Sequence, residues 1–215
     1  IAEMQQAVEH SANDPSMLVE LGVMYLSVGQ IANANAQAEI ALAADHRFAS
    51  AWKLKGQIAR SQNNLDLALA HLHKAAGCSP DRLDIHLELV KTHRANDEPL
   101  KALAAVDHLL AQHPIDSQPI PAIVAKSEIL MQLNQQSTAI ATLRRAQTGD
   151  STSAEIAARL VQLQIRTGRL ADAKATLNQA RIRFPESNQL LDLAQVLKTP
   201  ANRGQQIASE ASLLR

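Results

Sequence analysis

The feature that most limits what this chain can fold into is a pattern that returns about every 34 residues. Met17-Leu18-Val19-Glu20-Leu21-Gly22 and Ala51-Trp52-Lys53-Leu54-Lys55-Gly56 share one outline a full period apart, and it continues at His86-Leu87-Glu88-Leu89-Val90. The register slips at Ser117-Gln118-Pro119, then resumes at Ile123-Val124-Ala125-Lys126-Ser127 and Ala157-Ala158-Arg159-Leu160-Val161. Self-similarity at a fixed period of a few tens of residues signals a solenoid, in which each unit buries its apolar face against its neighbours.

Five copies align, at 15–48, 49–82, 83–116, 120–153 and 154–187. Within a copy, positions 4, 7, 8 and 11 fall on one face of a helix, and positions 20, 24 and 27 on one face of a second. Position 8 reads Gly22, Gly56, Val90, Ser127 and Val161, and position 20 is alanine throughout, at Ala34, Ala68, Ala102, Ala139 and Ala173. Position 27 reads Ala41, Ala75, Leu109, Ala146 and Ala180. Small residues at these places let two helices cross closely. Position 15, between the helices, reads Gly29, Asn63, Asp97, Asn134 and Gly168, the residue types that best tolerate a left-handed backbone. Pro99 suits the first turn of a following helix. Composition agrees: alanine, the best helix former, and leucine dominate, with only four aromatics, Tyr25, Phe48, Trp52 and Phe184. Val90, Leu109 and Val161 are larger than a close crossing favours, and Lys55 and Lys126 at position 7 must snorkel. No aromatic fills position 24, held by Ala38, Leu72, Val106, Leu143 and Leu177, so looser hairpins are expected.

These residues resemble the tetratricopeptide repeat family. Its motif has large residues at positions 4, 7, 11 and 24, small ones at 8, 20 and 27, and proline at 32, where this chain has His46, Pro80, Pro114, Ser151 and Pro185. The match covers about four-fifths of the chain. The resemblance implies an all-α, right-handed superhelical solenoid of antiparallel helix-turn-helix repeats. We expect a single domain over 1–215: a partial repeat at 1–14, the five repeats, and capping helices within 188–215. Thr199-Pro200-Ala201-Asn202 should break the cap before a last helix at 203–214. Ser117-Gln118-Pro119 should be a longer loop, with a subdomain boundary there as the lesser alternative. The start, Ile1-Ala2-Glu3-Met4, lacks an initiator Met and a signal pattern, which suggests a fragment or processed product.

Charge and composition narrow the function. Lys plus Arg equals Asp plus Glu, at 21 each, which disfavours a general nucleic-acid binder. No apolar run of about 18 residues crosses a membrane. Cys78 is the single cysteine, so an internal disulfide and a cysteine-rich zinc site are excluded, and it reads as a partly buried small residue. His71 and His73 splay on a helix, while His86 and His93 hold packing positions 4 and 11, so packing is favoured over metal ligation. No glycine-rich phosphate loop occurs, and neither an enzyme nor a cofactor is expected.

In the family, positions 2, 5, 9 and 12 of each first helix usually face the concave groove. Carried over, repeat 1 offers the apolar Val19, Val23 and Leu26 beside Ser16. Repeats 2 and 3 offer Lys53, Gln57, Arg60, Lys91 and Arg94, with Ser50, Asp84 and Leu87; repeats 4 and 5 offer Glu128 and Gln162, with Arg159 and Arg166 adjacent. The middle is basic, which suits an acidic peptide; the plainer alternative is a solvated charged helix face. An extended tail of about six residues spans roughly 20 Å, enough to cross two or three repeats. The carboxylate clamp of chaperone-tail binders is absent, because Gln57 and Lys91 replace its asparagines and Pro121 and Ala125 its last cations. The asparagine ladder of O-linked N-acetylglucosamine transferases is absent as well. The expected role is a scaffold holding a protein or peptide segment. The alternative is an accessory segment of a larger enzyme or of an envelope or secretion assembly. A monomer or weak homodimer is expected, without nucleic acid or membrane insertion, soluble in cytoplasm or periplasm, alone or within a larger or membrane-anchored protein.

Overall fold

The structure is a computed structural model that describes residues 1–10, 14–114, 117–148 and 153–198. Among these residues there are twelve helices and no strand. They are α1 (Ala2–His10), α2 (Pro15–Ser27), α3 (Ile31–Ala44), α4 (Ala49–Ser61), α5 (Leu65–Cys78), α6 (Leu83–Ala95), α7 (Pro99–Ala111), α8 (Ile120–Gln132), α9 (Gln136–Thr148), α10 (Ala154–Arg166), α11 (Leu170–Arg183) and α12 (Asn188–Lys198). Each aligned repeat is one helical hairpin. The break expected at 199–202 and the helix expected at 203–214 lie outside the described residues.

The turns form where position 15 predicts. Gly29, Asn63, Asp97, Asn134 and Gly168 are the positive-φ residues of the described chain, at φ 75°, 59°, 54°, 58° and 74°. The following helices start at once, because the left-handed residue reverses the chain without lengthening it. Between hairpins the links are 45–48, 79–82 and 184–187, but 112–119 joins α7 to α8, the longer connection expected at Ser117. Asp14 caps α2 by accepting from Ser16 N (2.7 Å) and Met17 N (3.4 Å), with Pro15 opening the helix.

The chain divides into two compact units, Ile1–Leu109 and Leu110–Arg215. In the first, α2 packs on α3 and α4 on α5, and the first helices α2, α4 and α6 touch in succession. All its position-20 and position-24 residues, Ala34, Ala68, Ala102, Ala38, Leu72 and Val106, are essentially inaccessible. Val90 and Leu109 are buried too, despite their larger size. In the second unit α8 packs on α9 and α10 on α11, while α12 covers α10 and α11 with Leu190, Leu193 and Ala194. Val161, at the crossing of α10 and α11, is fully buried. Lys55 snorkels as expected, its ammonium reaching Glu39 Oε1 on α3 at 3.2 Å. No described helix is long and apolar enough to cross a membrane.

One core residue breaks the apolar rule. Gln164 on α10 is wholly buried, and neither Nε2 nor Oε1 meets a hydrogen-bond partner among the described residues. A buried unpaired amide costs about 1–3 kcal/mol. Gln164→Leu should therefore raise the stability of the second unit by about 1–2 kcal/mol. Urea unfolding of the two proteins tests this, and a less stable variant would show that the amide is satisfied.

Candidate functional site

A cluster of cations stands on the first helices α4 and α6, joined into one face by the carboxylates they share. On α4 this face presents Lys53, Gln57 and Arg60, all half-buried, and on the adjoining α6 it presents exposed Lys91 and half-buried Arg94. The helices touch, so side chains from successive repeats become neighbours. The structure brings the basic residues together, and it supplies counterions for them. Lys53 Nζ lies 2.6 Å from Asp84 Oδ2, and Arg82 donates to both oxygens of the same carboxylate at 3.0 and 2.6 Å. Arg60 Nη2 donates to Glu88 Oε2 at 3.1 Å, and Lys91 Nζ to Glu88 Oε1 at 2.9 Å.

Two carboxylates thus serve four cations, leaving this network with two surplus positive charges. Burial opposes ionisation of Asp84, but the hydrogen bonds and charges of Arg82 and Lys53 outweigh it and hold the carboxyl well below the usual range. Asp84 is therefore ionised across the physiological range. Arg60 Nε is buried without an acceptor among the described residues, so the pairing of this guanidinium runs through its Nη2. Asp84 is among the residues that groove position 2 offers, but Glu88, at position 6, falls outside positions 2, 5, 9 and 12 and spacing does not nominate it. Beside this charged stretch, α2 contributes an apolar strip: Val19 is buried, Leu26 half-buried and Val23 44% exposed.

The remaining groove candidates belong to the second unit. Glu128 lies on α8, and Arg159, Gln162 and Arg166 are exposed on α10. Arg159 Nη1 approaches Glu128 Oε1 at 3.7 Å, an exposed and loose pair.

The histidines sit elsewhere. His71 stacks on Trp52 with ring centroids 5.5 Å apart, while Lys74 lies over the same indole and Trp52 Nε1 donates to His46 O at 2.9 Å. His73 meets the ring edge of His93 at 6.3 Å, and His93 Nδ1 pairs with Glu98 Oε2 at 2.8 Å. His86 Nε2 reaches Pro80 O. Each of these rings is engaged in packing or a local hydrogen bond. Desolvation, aided by the charges of Lys55 and Lys74, pushes His71 below the ordinary imidazole value; desolvation and His93 do the same for His73. The unfolded chain then binds more protons than the folded one in the window below about pH 6.5. Stability rises with pH there, so it should fall as pH drops from about 7.5 to 5.5. Denaturant titrations at the two pH values check this, and His71→Gln with His73→Gln should flatten the difference.

The tetratricopeptide repeat family models match residues 19–82 and 128–197. The fold is similar to three solved proteins. TTC0263, a tetratricopeptide repeat protein of Thermus thermophilus, is 19% identical at a TM-score of 0.62, over 86% of this chain and 100% of that one. PilW, a type IV pilus biogenesis factor, is 20% identical at a TM-score of 0.64, over 93% and 91%. YrrB, described as having an unusual peptide-binding site, is 17% identical at a TM-score of 0.53, over 89% and 97%. No curated protein sequence matches the chain.

Proposed function

This chain belongs to the tetratricopeptide repeat family, a family of protein–protein interaction scaffolds, and from that premise we propose that its α4–α6 face holds an acidic peptide segment of a partner protein. The observation that carries this is the network of Lys53, Arg60, Arg82 and Lys91 on only two carboxylates. Asp84 and Glu88 hold the cations in fixed positions and remove most of the cost of gathering like charges. A ligand carboxylate then meets preorganised donors at its binding site. Arg94, on the same helix face as Lys91, extends the basic surface. Glu128, Arg159, Gln162 and Arg166 form a second, weaker contact surface on the other unit, more exposed and carrying charge of both signs. The chain acts by binding and has no catalytic role of its own.

The test uses fluorescence anisotropy with two labelled hexapeptide pools, one rich in Asp and Glu and the other with Asn and Gln in their place. The acidic pool should bind the wild type and bind at least about tenfold more weakly to Lys53→Gln/Arg60→Gln/Lys91→Gln, the effect of losing about 1.4 kcal/mol. Glutamine is preferred to glutamate here because a new carboxylate would face Asp84 or Glu88. Equal binding of both pools would overturn the acidic preference. Unchanged binding by the triple variant would place the ligand elsewhere.

A further inference from the structure

The chain is neutral as a whole, but its charge is segregated along the sequence. Residues 1–109 hold thirteen carboxylates against nine Lys and Arg, and residues 110–215 hold eight against twelve. The extremes are sharper. Residues 1–46 contain six carboxylates and no Lys or Arg, while residues 144–183 contain eight Lys and Arg against three carboxylates.

Each extreme has members exposed to solvent. Glu3 on α1 and Glu20 on α2 are exposed. Near Glu20 lie Val23 and Met24 of α2 and its C-cap Val28, at 44%, 40% and 57% exposure. Residues 20, 23, 24 and 28 follow helical spacing, so they form one stripe of acid and aliphatic groups. In the second unit, α9 and α11 present exposed Arg144 and Lys174. Between these helices an open cleft of about 360 Å³ is bordered by Arg144 and Arg183 and floored by Ala157, Ala180 and Phe184. Ile182, beside it in sequence, is 83% exposed. Asp172, 3.8 Å from Arg144, is the carboxylate on this cleft.

We propose that this protein associates with itself head to tail, the acidic and apolar α1–α3 surface of one copy docking on the basic α9–α11 surface of the next. The occupant is a second copy because the complement of each surface stands on the same chain. One surface is acidic with aliphatic groups, and the other is basic with an apolar-floored cleft. The contact is heterologous, so every copy keeps one free surface of each sign, and assembly is open-ended unless the rotation closes a ring. Opposite charge drives the encounter and sets the register, while the apolar side chains supply the buried area. This interaction uses neither Lys53 nor its network, and Val23 is the groove residue it shares with peptide capture.

The test is light scattering of the full chain across a concentration series at about 50 mM and 500 mM salt, where screening lengths differ about threefold. At low salt the weight-average mass should rise past twice the monomer's, and at high salt it should return toward the monomer. Glu3→Lys/Glu20→Lys and Arg144→Glu/Lys174→Glu should each be monomeric alone. An equimolar mixture of the two variants should reassociate, because each then presents surfaces complementary to the other. That recovery excludes misfolding as the cause of the separate losses. A monomer at all concentrations in low salt overturns the proposal, and so does association that salt or the charge reversals leave unchanged.

Discussion

Replacing Ala68 by tryptophan should cost the first unit about 3 kcal/mol or more, at or beyond the top of the range for overpacking. Ala68 is wholly inaccessible where α5 crosses α4, and the carbonyl of the same residue already lies 3.3 Å from the place a Gly56 side chain would occupy. No room exists for an indole unless the two helices separate. Separation would expose Leu54 and Leu72, both buried core residues of that hairpin. Ala173→Trp repeats the experiment in the second unit, where α11 crosses α10 and Ala173 is equally inaccessible. Exposed neighbours on the same helices, Ala70 and Ala171, provide controls that should change stability by less than about 0.5 kcal/mol. Urea unfolding reads all four. A silent Ala68→Trp would mean the hairpin packs in another register.

The reason Ala68 can be singled out is that the hairpin geometry was legible in the sequence. Position 20 is alanine in every copy because two backbones approach there, and position 15 is glycine, asparagine or aspartate because the chain turns through positive φ. Both are local demands that a single residue type answers, so they leave a mark at a fixed spacing. The candidate site was only half legible. Its cations could be placed on one face by period alone, but their partners could not be assigned. Lys53 meets Asp84 and Arg60 meets Glu88 across nearly a full repeat, pairings that depend on how neighbouring helices cross. Many residues could serve there, so no spacing records the choice. Gln164 was illegible for a different reason: position 11 calls for a large residue, and glutamine satisfies size without satisfying polarity. The segregation of charge was legible in principle, but a net charge of zero conceals it until the chain is divided into its units.

Gly56→Val should destabilise the first unit by about 2–3 kcal/mol, although valine stands at the same motif position in two other repeats. A Cβ on Gly56 would lie 2.7 Å from Leu72 Cγ and 2.9 Å from Leu72 Cδ2, with Ala68 O at 3.3 Å. Leu72 cannot swing away, because it is 1% exposed and the clash falls on its branching carbon as well as on a methyl group. Helix propensity acts in the opposite direction but weakly, since valine improves on glycine by only a few tenths of a kcal/mol in a helix interior. In repeat 3 the valine at this position, Val90, accompanies Val106 at position 24, one carbon shorter than Leu72, and both are fully buried. Between these two hairpins volume is traded from position 24 to position 8, whereas repeat 5 buries Val161 together with the larger Leu177. Gly56→Val combined with Leu72→Val should recover at least half of the lost stability, a coupling that a double-mutant cycle in urea measures directly. Additive losses would show that Gly56 is required by its backbone neighbour Ala68 O, with Leu72 a bystander.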